Sequence, residues 1–130
     1  MTIEVIVVDD HPTTRMGIHE LLDNTQDISV IGDAECGIKA LKLVSTLKPD
    51  VLLLDFRLPD ISGPQITAEV QKQGLKTRVL GFSAFSYEDY IIGMLDAGAQ
   101  GYVLKTESPD MLLDAIRAVA EEALYSRNHH

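Results

Sequence analysis

Charged and hydroxyl side chains stand directly after short apolar runs at several places in this sequence. The set consists of Asp9, Asp10, Asp55, Ser83 and Lys105. If each run is a strand of a parallel sheet, these side chains meet at one edge, where ligands bind in open α/β sheets. Three carboxylates placed together repel one another unless a cation intervenes, and Mg²⁺ is commonly held by one or two carboxylates together with phosphate oxygens. The set therefore predicts a Mg²⁺ site with an ammonium and a hydroxyl group beside it.

Each of these residues has a simpler interpretation when it is taken alone. The Asp9-Asp10 pair suits a solvated turn, and Lys105 suits a lysine whose stem lies along the surface. Asp55 is harder to explain in that way, because it ends the fully apolar run 51–54 and an acid placed there needs a polar partner. The combination, with a polar group at the end of four runs, favours a functional site over separate surface features.

Five apolar runs alternate with amphipathic helical patterns along the chain. The runs cover residues 3–8, 28–31, 51–54, 78–82 and 102–104. The first and third are nearly continuous Val, Ile and Leu, which is typical of parallel strands covered on both faces. A βα unit repeated five times implies right-handed crossovers. We predict a single α/β domain of the doubly wound, flavodoxin-like (βα)5 type, with a parallel sheet in the order 2-1-3-4-5.

Proline, glycine and capping residues indicate where the helices begin and end. Pro12 suits the first turn of the first helix. Ser86 with Asp89 resembles a capping box at the start of the fourth helix, and Gly98 suits the C-terminal stop of that helix. The Ser108-Pro109 pair is expected to open the last helix.

Bulk properties of the 130 residues narrow the class of protein. The length suits one domain, which we place at residues 1–121, and residues 122–130 form the end of the last helix and a tail: a linker, a natural end or an expression remnant. The formal net charge of −9 would repel nucleic acid, so we expect no DNA binding by this chain itself.

No apolar run approaches the ~20 residues of a membrane span, and the N-terminus lacks a basic signal start, so we expect a cytoplasmic location. The single cysteine, Cys36, is interpreted as a small buried apolar residue.

Short motifs surround the strand-end residues. They are VVDDH at 7–11, KPDVLLLD at 48–55, LPDISG at 58–63, SA at 83–84 and GYVLK at 101–105. In type and order these motifs resemble those of the receiver (CheY-like) domains of bacterial two-component response regulators. The Asp-His-Pro segment near the start and the Gly-Tyr-Val-Leu-Lys segment near the end resemble the LuxR/FixJ-type subfamily, whose receivers are followed by a helix-turn-helix.

The resemblance implies that Asp55 is a phosphoacceptor. It implies that Asp55 attacks the phosphorus of a phosphohistidine on a sensor histidine kinase or a phosphotransfer protein. Asp10, Asp55 and the backbone carbonyl of Arg57 would bind Mg²⁺, and Asp9 would orient Asp10 and the water shell of the metal. Lys105 would pair with Asp55 at rest and with the phosphoryl oxygens afterwards. The chain would then be a signalling domain that assists only its own phosphorylation and dephosphorylation, and not an enzyme.

The resemblance also implies a switch and an output. Ser83 would move to bind the phosphoryl group, and Tyr102 would turn into the space that Ser83 leaves. This would reshape the face built by the fourth helix, fifth strand and fifth helix, or by the first and fifth helices, and promote a homodimer. DNA would be bound for transcription regulation only through an effector domain that is not in this chain. Thr106 follows Lys105 where the family often has a proline after a cis bond, so the Lys105-Thr106 bond is either a strained cis bond or trans.

Three other interpretations remain open from the sequence. A flavodoxin-like FMN binder shares the sheet but needs a hydroxyl- and glycine-rich phosphate loop where Asp9-Asp10 stands. A haloacid-dehalogenase-type phosphatase uses an aspartate nucleophile but needs a second aspartate two residues later, at the position of Arg57. A degenerate receiver that only binds partners would lack part of the strand-end set, which is complete here.

Overall fold

The computed structural model describes the backbone of residues 2–128 and the side chains of residues 2–121. Five strands alternate with five helices in this part of the chain. The strands are β1 (Ile3–Val8), β2 (Ile28–Ala34), β3 (Val51–Leu54), β4 (Arg78–Ser83) and β5 (Gly101–Leu104). The helices are α1 (Pro12–Asp23), α2 (Gly37–Leu47), α3 (Gly63–Lys72), α4 (Glu88–Asp96) and α5 (Pro109–Asn128). The alternation confirms the predicted series of βα units.

All strands of the sheet are parallel and lie in the order β2-β1-β3-β4-β5, as predicted. Connections run outward from β1 in both directions, so β1 and β3 lie at the point where the strand order reverses. In the register of this central pair, Val8 at the end of β1 lies opposite Leu54 at the end of β3. The residues that follow, Asp9 and Asp55, are therefore brought next to each other.

β2 extends beyond the predicted run 28–31 and includes residues 32–34. All of its residues between the first and the last are only partly buried, as suits an edge strand. Because an edge strand does not need a continuous apolar sequence, the apolar pattern underestimates its length. β4 and β5 are also longer than predicted by one residue each, Ser83 and Gly101.

Each face of the sheet buries its own apolar core. Val5 and Val7 of β1 join the core beneath α1 and α5, whereas Ile6 and Val8 join the core beneath α2, α3 and α4. This alternation follows from the two-residue period of a strand. Because both faces are covered, the inner strands are nearly continuous apolar runs. The two cores hold the strand ends, and with them the charged residues, in place.

The start of α4 differs from the sequence prediction. The capping box expected at Ser86 and Asp89 is wrong, because Tyr87 is the N-cap residue and no side chain caps the helix. The predicted stop of this helix is confirmed: Gly98 lies just beyond it with a φ of +113°, a conformation that favours glycine. The local pattern therefore predicts the end of α4 correctly and its beginning incorrectly.

A capping box is present at α3, where the sequence analysis does not predict one. Ser62 accepts a hydrogen bond from the backbone N–H of Gln65, and the Gln65 side chain accepts one from the backbone N–H of Ser62. Both α1 and α5 begin at a proline, as predicted. At α5 the Met111 N–H donates to the Ser108 hydroxyl at 3.3 Å, which confirms the expected opening of that helix.

Cys36 and the C-terminal helix α5 lie outside the sheet. Cys36 is the N-cap residue of α2 and is only partly buried, so its interpretation as a buried apolar residue is wrong. The backbone of α5 continues to Asn128, and the boundary at residue 121 stays a prediction. His129 and His130, in the expected tail, lie outside the described residues. No described helix has the length and apolar character needed to cross a membrane.

Candidate functional site

A cavity of about 430 Å³ opens at the carboxyl edge of the sheet. Polar side chains form much of its lining, namely Asp10, His11, Asp55, Arg57 and Lys105. Two further strand-end residues are buried nearby: Asp9 contacts Lys105, and Ser83 ends β4. The structure therefore brings the strand-end residues selected from the sequence to one edge.

The turn after β1 holds two carboxylates in different environments. Asp9 is buried, its N–H donates to the Ala34 carbonyl at 3.0 Å, and its carbonyl accepts from the Arg15 guanidinium. Its Oδ1 atom accepts from the backbone N–H of His11 at 2.9 Å and lies 2.9 Å from His11 Nδ1. Asp10 is exposed, and His11 Nδ1 lies 3.0 Å from its Oδ1 atom. Asp10 therefore faces the cavity, whereas Asp9 is held by its neighbours.

Lys105 lies between two buried carboxylates. Its Nζ atom is 3.1 Å from Asp55 Oδ2 and 2.6 Å from Asp9 Oδ2. The Asp55 contact agrees with the pairing that the resemblance implies, and the shorter contact to Asp9 is not predicted from the sequence. Asp55 is held at the end of β3 by its backbone N–H, which donates to the Val8 carbonyl at 3.1 Å. One ammonium thus neutralises part of the charge of two acids.

Burial and mutual charge set the protonation of this cluster. Burial raises the pKa of Asp55, a shift that the Lys105 charge opposes and the Asp9 charge reinforces. For Lys105, burial lowers the pKa, but the hydrogen bond to Asp9 and the two negative charges outweigh it, so the pKa is raised overall. Lys105 therefore stays protonated. A further cation in the cavity would relieve the remaining repulsion between carboxylates.

The acidic cluster fits a divalent cation. Potential ligand atoms of Asp9, Asp10, His11 and Asp55 all lie within 4.8 Å of one another. The Oδ1 atom of Asp55 is buried and has no hydrogen-bond partner among the described residues. A buried carboxylate oxygen is costly to leave unpaired, and Mg²⁺ prefers oxygen ligands. His11 is not among the predicted site residues; its position directly after the acidic pair is the signal that could have indicated it.

The loop between β3 and α3 carries Arg57 and forms one wall of the cavity. It returns tightly to the strand end, where the Gly63 N–H donates to the Phe56 carbonyl at 2.8 Å. A Cβ atom at Gly63 would lie only 2.7 Å from the backbone carbonyl oxygen of Asp55. Glycine therefore allows the loop to close against the backbone of Asp55.

Asp60 joins the same loop to α2. Its carboxylate accepts hydrogen bonds from the backbone N–H groups of Gly37 and Ile38 at 2.8 and 2.9 Å, and from that of Ile61 at 2.8 Å. The N-cap residue of α2, Cys36, makes no side-chain cap hydrogen bond, so Asp60 caps this helix from another part of the chain. Sequence reasoning missed this role, because the partners lie 22 and 23 positions apart.

Comparison with known proteins decides the family. A sequence profile described as the response regulator receiver domain matches residues 5–117. The chain belongs to the response regulator receiver domain family. The resemblance drawn from the strand-end motifs is thereby confirmed.

Curated relatives of this receiver domain are longer proteins. The nitrate/nitrite response regulator protein NarL of Escherichia coli (strain K12) is 34% identical over 116 residues, which are 89% of this chain and 54% of NarL. The response regulator protein VraR of Staphylococcus aureus (strain NCTC 8325) is 37% identical over 117 residues, which are 90% of this chain and 56% of VraR. The receiver domain therefore spans about half the length of these relatives.

Solved structures share the fold of the receiver domain. The signal receiver domain of a response regulator NarL from Mycobacterium tuberculosis superposes with a TM-score of 0.89 at 36% identity, covering 92% of this chain and 97% of that one. A DNA-binding response regulator of the LuxR family from Staphylococcus aureus has a TM-score of 0.86 at 26% identity, covering 91% and 98%. These relatives agree with the predicted LuxR-type subfamily.

In the receiver domain Ser83 is the last residue of β4, and Tyr102 is the second residue of β5, opposite Gly81 in the register. The Tyr102 hydroxyl donates to the Phe85 carbonyl at 3.0 Å, and the Ser83 hydroxyl accepts from the Phe85 N–H at 3.3 Å. The Tyr102 ring lies over Gly81, where a Cβ atom would come within 2.6 Å of the ring. Burial raises the pKa of Tyr102, and a hydrogen bond with Ser83 opposes the shift. The described peptide bonds are all trans, including Lys105-Thr106.

Proposed function

We propose that this receiver domain is a phosphorylation-activated switch whose phosphoacceptor is Asp55. The observation that carries the proposal is the buried Asp55 Oδ1 atom, which has no hydrogen-bond partner among the described residues although Asp55 lines an open cavity. In the transfer, an Asp55 carboxylate oxygen attacks the phosphorus of a phosphohistidine on a sensor histidine kinase or a phosphotransfer protein. The O–P bond forms as the N–P bond breaks, and the imidazole nitrogen keeps the electron pair.

The charges around Asp55 support this step. Asp10, Asp55 and the backbone carbonyl of Arg57 would hold Mg²⁺, and Asp9 would orient Asp10 and the water shell. When bound, the metal supplies charge neutralisation for the transferring group. Lys105 Nζ is 3.1 Å from Asp55 Oδ2, so it is placed to bind the phosphoryl oxygens once they replace the carboxylate charge. The residues thus position and stabilise the group without further covalent chemistry.

The position two residues after Asp55 favours a switch over a hydrolase. A phosphatase of the haloacid-dehalogenase type needs an acid/base aspartate there, and this chain has Arg57, whose guanidinium lies 5.6 Å from the centroid of the Phe85 ring. Arginine stays protonated and cannot act as a general base. An FMN binder is disfavoured, because Asp10 and Asp55 would repel a phosphate that arrives without a metal. We therefore infer a signalling domain that is not an enzyme.

The output surface is the face formed by α4, β5 and α5, or by α1 and α5. Ser83 and Tyr102 both hydrogen-bond to the backbone of Phe85, beside this surface. A phosphoryl group on Asp55 should therefore change the contacts of these two side chains first. Ile92 and Leu95 on α4 are 44% and 45% exposed and offer apolar contact area. We infer a two-fold homodimer on phosphorylation, and control of an effector domain outside this chain that binds DNA for transcription regulation.

Intact-mass measurement after incubation with acetyl phosphate tests the phosphoacceptor. We expect one phosphoryl adduct with Mg²⁺, and none in EDTA or in Asp55→Asn. Asp60→Asn is a matched control, because Asp60 is an exposed acid in the same loop region but outside the cluster, and it should keep the adduct. An adduct of equal yield in Asp55→Asn, or in EDTA, contradicts the proposal.

Sedimentation tests the output. With beryllofluoride as a phosphoryl mimic and Mg²⁺, the average mass should rise with protein concentration more steeply than without it. Amide exchange around Ser83 and Tyr102 should change at the same time. Identical sedimentation profiles together with unchanged exchange at these residues contradict the switch.

A further inference from the structure

His11 is the one residue of the acidic cluster to which the proposed transfer gives no role. Its Nδ1 atom lies 2.9 Å from Asp9 Oδ1 and 3.0 Å from Asp10 Oδ1, and the residue lines the cavity. The His11 side chain is 65% exposed. It is therefore not needed to fill the core, and its position is set by the turn after β1.

The potential ligand atoms of His11, Asp10 and Asp55 lie within 4.8 Å of one another, close enough to bind one ion. Two adjacent ligand atoms on an octahedral ion are √2 times the metal–ligand distance apart, about 3 Å for metal–ligand distances of about 2.1 Å. Nδ1 of His11 and Oδ1 of Asp10 are separated by 3.0 Å. An independent observation points to a ligand here: Asp55 is only 4% exposed, and its Oδ1 atom has no hydrogen-bond partner among the described residues.

We propose that His11 Nδ1 is a metal ligand of this site, so that the site discriminates between divalent cations. The inference rests on the proposed function, which needs a metal at Asp10 and Asp55. Carboxylate, carbonyl and water oxygens suit both Mg²⁺ and Mn²⁺, but Mn²⁺, as a first-row transition metal ion, accepts an imidazole nitrogen more readily than Mg²⁺ does. With His11 as a ligand, the site takes Mn²⁺ in preference to Mg²⁺ more strongly than a set of oxygens alone.

Mn²⁺ binding tests the inference. Titration followed by electron paramagnetic resonance gives the Mn²⁺ affinity, and competition with Mg²⁺ gives the ratio of the two. His11→Phe keeps a ring of similar size without a nitrogen donor. His19→Phe is the matched control, since His19 also lies on the α1 side of the domain and contacts an aspartate, Asp33, at 2.8 Å. The preference for Mn²⁺ over Mg²⁺ should fall several-fold in His11→Phe and stay unchanged in His19→Phe.

A spectroscopic signature separates coordination from general charge effects. Electron spin echo modulation from a directly bound imidazole nitrogen should appear in the wild-type Mn²⁺ complex, disappear in His11→Phe and persist in His19→Phe. If the modulation is absent from the wild type, or persists in His11→Phe, the inference is overturned while Mg²⁺-dependent phosphorylation of Asp55 still stands. If neither metal binds to the wild type, the proposed function fails as well.

Discussion

Replacing Lys105 by methionine would remove a charge from between two buried acids while keeping an unbranched apolar stem. The Asp9 and Asp55 side chains are 1% and 5% exposed, and Lys105 Nζ contacts them at 2.6 and 3.1 Å. Lys105→Met leaves both carboxylates without their cation. We expect a folded domain that is less stable and that no longer couples phosphorylation to output.

The size of the loss follows from the burial of the pair. Removing one partner of a buried ion pair costs about 3–5 kcal/mol. Because Lys105 is 16% exposed and a carboxylate can take up a proton, we expect the lower end, about 3 kcal/mol. In a domain of this size that is a fall of roughly 10 °C in Tm. Lys39→Met is the matched control: its ion pair with Glu35 is exposed on both sides, so its loss should change the stability little.

The loss should depend on pH and on Mg²⁺. Burial raises the pKa of Asp55 and Lys105 opposes the shift, so the pKa should be higher still in Lys105→Met. When folding raises the pKa of a carboxyl group, the free energy of unfolding of the protein falls as the pH rises from the unfolded-state pKa to the folded-state pKa of that group. The difference between variant and wild type should therefore shrink as the pH falls. Mg²⁺ should stabilise the variant more than the wild type, because it supplies the missing positive charge.

Urea denaturation followed by circular dichroism measures the free energy of unfolding for the wild type and both lysine variants. The series is run across acidic to neutral pH, in EDTA and in Mg²⁺. A loss in Lys105→Met no larger than that in Lys39→Met would refute the argument. A large loss that responds to neither pH nor Mg²⁺ would also refute it, since packing and not charge would then be the cause.

Three further outcomes are expected. Asp55→Asn in EDTA should be more stable than the wild type at neutral pH, because burial raises the pKa of Asp55 and its ionisation therefore opposes folding. In thermal denaturation this gain in stability should vanish below about pH 4, near the pKa of the unfolded state. Asp60→Ala should lower the free energy of unfolding by about 1 kcal/mol, the usual cost of losing a helix cap, as measured in urea. Asp60→Asn should lose less, because its one carbonyl oxygen can still accept from Gly37 and Ile61 while the hydrogen bond from Ile38 is lost. Gly81→Ala should displace the Tyr102 ring, since the new Cβ would lie 2.6 Å from it; unchanged ring contacts in nuclear magnetic resonance spectra would contradict this.

The sequence by itself was sufficient for the fold and for the residues at the strand ends. Continuous apolar runs identify strands that are covered on both faces, and handedness restricts how five βα units can be connected. Asp9, Asp55 and Lys105 directly follow such runs, so their place at a strand end depends only on local sequence. Parallel pairing then brings those ends to the same edge. The motifs around them were specific enough to predict the family that the comparison confirmed.

Only the tertiary structure decided which groups are in contact. Lys105 lies closer to Asp9 than to Asp55, and Asp60 caps a helix that begins well before it in the chain. Such contacts depend on strand spacing, loop closure and side-chain conformation, which no local pattern encodes. The start of α4 is likewise decided only in the structure, where Tyr87 and not Ser86 is the N-cap residue. Local sequence therefore determines which residues reach the edge of the sheet, and packing determines the distances between their charges, on which the chemistry of the site depends.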